Sequence, residues 1–440
     1  MTTSSFSSEA RIAIEALVLV ERGLSERSAV ARVSGRDSKN KGFQGGALKL
    51  VLGTVAEQDL LDKIVQKALP RRNLSVEERC LARLTAWIAL NQSRIPALEA
   101  MSGLRALATA RFRPDLEYLW GFLQTLEVSK LFAGLGDADR VALQTHHGRW
   151  WVDYCFRVFG RGEAIRILGF HSRPRYVRVN SLRNDGATTL PREARAFSHL
   201  LEPLDSFPGV YRVTQSPSSF SPLFSSGLLQ FQDLASYCSV LAGDPRPGQF
   251  MLDLCGAPGA KTCALAQLMK NNGEIISVDY SVPRMKTWKT EMDRLGVRIG
   301  NPVIADASRL GLTGLYDLVL VDPPCSGTGI FDRNPRMKWH ITRERVERYS
   351  QLQGRMLEEA YRLLDPRGRI VYCTCSITVE ENEGVVSSFL GMHPEMQVRP
   401  FPLSRTIGSP GLSGLSECRR FYPHSDGTAG YFIARLERSN

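Results

Sequence analysis

From Phe250 onward, short apolar runs alternate with helical stretches, and the runs keep stopping on polar residues. The runs cover 250–254, 274–279, 303–305, 318–321 and 369–372, and a last one covers 431–436. Helical patterns fill 261–269, the stretch up to Leu295, and 342–364, where Asp365-Pro366-Arg367-Gly368 reads as a terminator. Strands that alternate with helices in this way pack as a parallel sheet covered on its faces. The expectation is a Rossmann-like α/β domain. Ligands bind such sheets at the C-terminal strand edge. That edge should carry Asp279, Asp306 and Asp322, with two cysteine motifs, Asp322-Pro323-Pro324-Cys325-Ser326-Gly327 and Cys373-Thr374-Cys375-Ser376.

The N-terminal third has a different period. Leu48, Val51, Leu52 and Val55 form one apolar helical face, and Ser75-Val76-Glu77-Glu78 fits a capping box ahead of Leu81, Leu84, Trp87 and Ile88. Residues 8–168 read mostly as helix. Arg175 to Asn180 then alternates as a strand does, and Asn184-Asp185-Gly186 and Pro208-Gly209 supply turns. The expected organisation is an all-α domain over 1–145, a small α/β linking segment over 146–228, and the Rossmann-like domain over 229–440. Thr378-Val379-Glu380-Glu381 is read as a capping box opening another helix, and Pro402 to Glu417 as a mobile loop.

A chain of 440 residues outgrows one core, consistent with several domains. It contains no uninterrupted apolar run of about 18 residues, and Met1 to Ala10 carries no signal-peptide pattern. A monomer in the reducing cytoplasm, away from membranes, is expected. The nine cysteines are odd in number and lack CxxC spacing, which disfavours a disulfide framework or a metal site. Cys80, Cys155, Cys238 and Cys263 are expected as buried small hydrophobes. The net charge of +11 suits a polyanionic partner, nucleic acid first.

The turn Cys255-Gly256-Ala257-Pro258-Gly259-Ala260-Lys261 follows the first apolar run and opens a helix, so backbone N–H groups can approach a ligand there. Asp279 lies about 20 residues further on, where a carboxylate commonly accepts from a ribose diol. The turn matches neither GxGxxG nor GxxxxGK[ST], which disfavours a dinucleotide and a nucleoside triphosphate. Asp306 is a candidate acceptor for an adenine amine or the cofactor's own amine; its bland alternative is a helix cap. Strand-end cysteines next to such a site suggest covalent chemistry on a base. A thiolate added to C6 of cytosine turns C5 into an enamine-like carbon. An acid must then hydrogen-bond the ring at N3, and Asp322 is placed for it. A second thiol, Cys325, can assist loss of the C5 proton. Cys373 and Cys375 share a strand face, so periodicity leaves the choice of nucleophile open.

At these motifs the chain resembles the Sun/RsmB-type RNA cytosine-C5 methyltransferases. The resemblance covers about 175–437 and rests on Asp253 to Thr262, Asp322 to Gly329 and Thr374-Cys375-Ser376 with Glu380-Glu381-Asn382. It rests further on Arg178 to Leu182, Gln232 to Ser236, and Pro423-His424 with Gly427-Thr428. The helical N-terminus is similar, by pattern and position, to the NusB-like domain of the bacterial small-subunit rRNA members. The resemblance implies S-adenosyl-L-methionine as cofactor, held by Cys255, Gly256, Ala257, Pro258, Gly259, Ala260, Lys261, Asp279 and Asp306, with Asp322 between cofactor and base. It implies Cys375 as nucleophile and Cys325 as the cysteine that promotes release. Gly256 stands where the family usually has alanine, Ala260 where it usually has glycine, and Ala429 where it often has aspartate. A methyl at 260 crowds the cofactor if that backbone needs positive φ.

The implied partner is RNA, with ribosomal RNA of the small subunit favoured and tRNA as the alternative. The target base must be unpaired or flipped. Arg178, Arg333, Arg336 and Lys338 are the expected RNA-contacting cations, with Arg333 to His340 lining the cleft and Arg71, Arg72, Arg111 and Arg113 extending a phosphate track. Two rival readings are an RNA-holding assembly factor and a methyltransferase for exocyclic amines, whose Asp-Pro-Pro motif is followed by an aromatic residue where this chain has Cys325.

Overall fold

The computed structural model describes residues 3–91, 96–215, 220–401, 403 and 407–439. The chain divides into two compact units, one formed by Met1–Gly169 with Phe331–Ile341, the other by Phe170–Ile330 with Thr342–Asn440. Both differences from the expected boundaries have a packing cause. The helix Arg149–Leu168 stays with the helical unit, and so does the short segment after the first cysteine motif.

The first unit is helical: α1 (Thr3–Glu21), α2 (Glu26–Ser34), α3 (Gln44–Ala56), α4 (Gln58–Ala68), α5 (Val76–Asn91), α6 (Ala97–Leu107), α7 (Arg113–Thr125), α8 (Asp137–Thr145) and α9 (Arg149–Leu168). The Ser75 capping box forms in both directions: Ser75 N–H donates to Glu78 at 2.9 Å and Glu78 N–H to Ser75 Oγ at 3.1 Å. Gly53 lets α3 meet α5, because a Cβ there would lie 2.2 Å from the Trp87 ring. Segment 331–341 is built into this unit. Trp339 Nε1 donates to Val55 O at 2.7 Å, Arg336 N to Glu26 at 2.8 Å and Arg336 Nη1 to Gly23 O at 2.9 Å.

The second unit holds two sheets. The smaller has the order β2 (Leu201–Pro203), β3 (Val210–Val213), β1 (Arg175–Val179), β4 (Leu229–Phe231), with antiparallel β1–β3 and β1–β4 pairs. The helix α10 (Ser221–Ser225) precedes β4, and α11 (Leu234–Ala242) follows it. The larger sheet contains β5 (Phe250–Leu254), β6 (Glu274–Asp279), β7 (Gly300–Ile304), β8 (Tyr316–Val321), β9 (Leu364–Thr374), β10 (Met396–Val398), β11 (Ser409–Pro410), β12 (Arg419–Phe421) and β13 (Tyr431–Arg438). Strands β7-β6-β5-β8-β9 lie parallel in that order, and β13 joins β9 antiparallel. Strand order reverses between β5 and β8. That is where a crevice opens at the carboxyl edge of an α/β sheet. Helices α12 (Ala260–Leu268), α13 (Val282–Leu295), α14 (Arg343–Arg362), α15 (Glu383–Met392) and α16 (Pro423–Asp426) complete the unit.

The near-continuous burial of β5 and β8 fits strands covered on both faces. The helix α14 ends at Arg362, just ahead of Asp365 to Gly368 as expected; that stretch is then drawn into β9, where a register slip between Tyr316 and Leu318 absorbs it. The helix α15 starts at Glu383, later than the Thr378 box implied, because Glu381 turns inward. Within the Ser/Gly/Pro-rich stretch, Gly411 N donates to Cys418 O at 3.0 Å; Pro402 and 404–406 lie outside the described residues.

Candidate active site

The two cysteine motifs meet at the carboxyl ends of β8 and β9. Cys325 Sγ and Cys375 Sγ are 3.1 Å apart, and both side chains are half-buried. The Cys325 thiol is held well above its ordinary pKa, first by its hydrogen bond to Cys375, then by burial. Cys373 is separated from them. It is fully buried, and burial with Asp322 nearby pushes it to about 12. Of the two cysteines that share a strand face, only Cys375 sits beside Cys325.

Asp322 follows β8 directly, three residues before Cys325, and the sulfur that it contacts is that of Cys373, which donates to its Oδ1 at 3.8 Å. Its Oδ2 accepts from Lys261 Nζ at 2.6 Å, and its Oδ1 accepts from Tyr431 Oη at 3.4 Å. Burial by itself would loosen the Lys261 proton, but Asp322, Cys373 and Asp253 reverse this, and the ammonium holds its proton more tightly than usual. The side chain therefore stands as a fixed positive charge against the carboxylate.

A carboxylate named in sequence only as part of a motif organises the site. Glu381 is fully buried under both cysteine loops. Its Oε1 accepts from Ser326 N at 2.8 Å and Gln353 Nε2 at 3.0 Å. Its Oε2 accepts from Ser376 Oγ and Thr378 Oγ1, each at 2.8 Å, and from Ser326 Oγ. Ser326 follows Cys325 and Ser376 follows Cys375, so one carboxylate ties the two loops together. Gly329 N also donates to Cys375 O at 3.0 Å. The capping-box reading concealed this role, since a Thr-x-x-Glu spacing is ordinarily a surface helix start.

The cofactor loop lies next to this group. Gly259 takes φ +111, and a Cβ there would meet Met292 at 2.5 Å. Ala260 opens α12 with helical backbone, so the anticipated crowding at 260 does not arise; the left-handed positions of the loop are Cys255, at φ +66, and Gly259. Gly256 packs on Asp253, whose Oδ2 would be 2.8 Å from a Cβ. Burial raises Asp253 to about 7, and its Oδ1 has no hydrogen-bond partner among the described residues. Asp279, at the end of β6, accepts from Ser281 N at 2.9 Å through Oδ1. Its buried Oδ2 lacks a hydrogen-bond partner among the described residues, although Arg284 Nη1 stands 3.1 Å away as an ion pair. Arg284 also donates to Ala257 O and so links the loop to β6; nothing in the sequence pattern marked it. Asp306 is exposed, and Ser308 N and Oγ donate to its Oδ1 at 2.9 and 2.8 Å, which lowers its pKa. The structure thus gives Asp306 the turn-capping contact. Cys255, Ala257, Pro258 and Lys261 all fall on or beside the loop.

The expected RNA cations fare differently. Arg178 is buried, donating to Gln232 at 3.0 Å with its guanidinium over Tyr237, so it is not a surface phosphate contact. Lys338 is likewise buried, and burial lowers it to about 8. Both expectations fail for the same reason: each cation is enclosed by its own unit. Arg336 is engaged with Gly23 and Glu26, and Arg333 is half-buried.

Residues 240–437 match the family model described as 16S rRNA methyltransferase RsmB/F. The chain belongs to the RsmB/F methyltransferase family. It is an RNA cytosine-C5 methyltransferase that uses S-adenosyl-L-methionine. Similarity extends along the whole chain to the probable ribosomal RNA small subunit methyltransferase B of Bacillus subtilis, 27% identical over 97% of this chain and 98% of that protein. A mouse 28S rRNA (cytosine-C(5))-methyltransferase is 33% identical over 66% of this chain, which spans 39% of that longer protein. A tRNA (cytosine(72)-C(5))-methyltransferase of Pyrococcus horikoshii is 35% identical over 49% of this chain and 54% of that protein. The crystal structure of PH0851 superposes with TM-score 0.81 at 27% identity, covering 98% of this chain and 99% of that one. Buried carboxylate oxygens that accept no hydrogen bond among the described residues, on Asp253 and on the Arg284-paired Asp279, suit the family's cofactor, whose ribose hydroxyls and cationic end both seek acceptors.

Proposed function

We propose that the protein methylates C5 of a cytosine in small-subunit ribosomal RNA, through a transient bond between Cys375 and C6. The observation that carries this reading is the 3.1 Å approach of the Cys325 and Cys375 sulfurs at the strand edge that also carries the Asp322–Lys261 pair. The small-subunit target is supported by the end-to-end similarity to the Bacillus subtilis protein.

In this reading Asp279 and the 255–261 loop hold the cofactor, which supplies an electrophilic methyl group. Cys375 attacks C6 as the thiolate, and the C5–C6 electrons move into the ring. N3 gains a proton in balance with the one Cys375 loses, and Asp322, fixed by Lys261, accepts a hydrogen bond from that N3–H. C5 is then nucleophilic. After it is methylated, the C5 proton must leave so that its electrons rebuild the C5–C6 double bond and expel Cys375. Cys325 is the base for that step. Its thiol is held protonated chiefly by Cys375. Bonding of the Cys375 sulfur to carbon removes the first of the causes that hold this proton, while burial and the nearby Glu381 remain.

The helical unit would hold the RNA backbone, in keeping with a NusB-like role. Arg71, Arg111 and Arg113 are exposed there, whereas Arg72 is paired with Asp115. Among the described residues no helix is long and apolar enough to cross a membrane; we place the enzyme in the cytoplasm, working as a monomer. A tRNA target is the second reading, supported by the Pyrococcus relative. Mapping 5-methylcytosine in RNA from cells with and without the gene separates the two. The mechanism is tested with RNA containing 5-fluorocytidine. Wild-type protein should give a denaturation-resistant adduct and Cys375→Ala none, while Cys325→Ala should accumulate an adduct with ordinary cytosine. An undiminished adduct from Cys375→Ala removes the nucleophile assignment.

A further inference from the structure

A cavity of about 700 Å³ lies between α10, β4, α13 and the cofactor loop, apart from the cysteines. Its size is within the range of about 300–1,000 Å³ typical of small-ligand clefts. One wall is an aromatic pair: the Phe224 and Phe231 rings stack at 4.2 Å with 17° between their planes. Phe231 is 42% exposed, a large apolar ring left open to solvent at the end of β4. Pro258 and Ala260 also line the cavity, and Gln230 and Thr287 bring an amide and a hydroxyl.

We infer that this cavity takes an unpaired nucleobase of the substrate RNA, stacked on Phe231, next to the strand segment that carries the target cytosine. The inference rests on RNA being the substrate. Stacking on an exposed aromatic ring is how single-stranded nucleic acid is held without sequence choice, because every base has a π-face. The polar groups fit the edge of a base. Arg178 donates to Gln230 Oε1 at 3.5 Å, which turns the amide nitrogen toward acceptors such as a pyrimidine carbonyl. A phosphate fits poorly. The cation lining the cavity, Arg294, is committed to Glu291 in an ion pair and donates to Phe224 O. Position favours a neighbour of the target. Ala260 and Lys261 are successive residues of α12; the first lines the cavity, while the second holds Asp322 at 2.6 Å. The cavity and the Asp322–Lys261 pair therefore both border the first turn of α12. The other sides of the cavity are tied together, since Asn180 Nδ2 bridges Gly227 O and Leu295 O at 2.8 and 2.9 Å and so links the segment before β4 to the end of α13.

The test uses the full chain with fluorescein-labelled oligouridylate, single-stranded or paired with oligoadenylate. Wild-type protein should prefer the single strand. Phe231→Ala should weaken single-strand binding by roughly 5- to 150-fold, the range seen when a stacking aromatic is removed. Phe231→Tyr should restore it. The slope of log K against log salt should not change, because phosphate contacts are untouched. The S-adenosylmethionine Kd and the melting temperature should stay at wild-type values, which separates a lost contact from a disturbed fold. If wild-type protein binds single strands and Phe231→Ala binds them equally well, the cavity assignment is overturned and the RNA reading stands. If wild-type protein binds neither form, the RNA reading falls and the cavity assignment falls with it.

Discussion

Glu381 offers the sharpest test of how the two cysteine loops are held. Its carboxylate sorts its donors: Oε1 faces an amide N–H and an amide NH2, and Oε2 faces only hydroxyls. Hydroxyls can turn and accept, whereas Ser326 N–H and Gln353 Nε2 can only donate. A glutamine at 381 can therefore keep its oxygen toward Ser326 and Gln353 and donate its NH2 toward the hydroxyls. The change exchanges charge-assisted bonds, worth about 1.5–3 kcal/mol each, for neutral ones of about 0.5–1.5 kcal/mol. With the desolvation of a buried charge removed at the same time, Glu381→Gln should cost no more than about 1–2 kcal/mol. Glu381→Ala has no such recourse. It strands buried donors at about 1–3 kcal/mol each and leaves a cavity, so a loss of about 3–5 kcal/mol is expected. Urea denaturation measures the stability, and the initial rate of adduct formation with 5-fluorocytidine RNA measures the geometry. Adduct formation should fall sharply in the alanine variant under conditions where it is still folded, and should survive in the glutamine variant. Equal damage from the two substitutions would refute the donor-sorting argument. An alanine variant as stable and as fast as wild type would refute the positioning role.

Further outcomes follow from the burial of single groups. Lys338 is depressed to about 8 from an unfolded value near 10.5, so the unfolded chain binds its proton more tightly. The penalty is full below about pH 8 and is relieved as pH rises toward 10.5, so this group contributes a rise in stability across that window. Lys338→Met should raise the melting temperature at pH 7 by the equivalent of about 2–4 kcal/mol, with the gain shrinking at higher pH; no gain at pH 7 means the ammonium is solvated or paired. Asp279→Asn should keep the bond from Ser281 N yet lose the acceptor at Oδ2, weakening S-adenosylmethionine binding by about 10- to 100-fold in calorimetry, as expected for one charge-assisted bond. An unchanged Kd would place the ribose elsewhere.

Much of the site was legible because parallel α/β sheets put their chemistry at strand ends. The runs ending at Asp279, Asp322 and Cys375 are read from hydrophobic pattern alone, and each falls at the carboxyl edge of β6, β8 or β9. Cys80, Cys155, Cys238 and Cys263 are buried as expected. Period also has a blind spot. Cys373 and Cys375 are indistinguishable by alternation, yet one is enclosed by the packing of β13 and α11 against β9 and the other lies just past the strand. The same blindness misled the reading of cations, since a lysine or arginine in a basic stretch looks exposed until its neighbours are known. Arg178 and Lys338 are enclosed by residues distant in sequence, at Gln232 and Tyr237 in one case and near Asp59 and Glu57 in the other.

The sequence by itself determined the class of sheet, the positions of its strand ends and the chemical identity of the groups placed there, because those depend on periods of two and 3.6 residues and on local turn chemistry. Only the tertiary structure decided which sulfurs meet, which carboxylate binds their loops and which cations are left for a partner. Those are contacts between residues tens to hundreds of positions apart. Desolvation and hydrogen-bond geometry at such contacts are set by what packs around a side chain, and no stretch of neighbouring sequence encodes that.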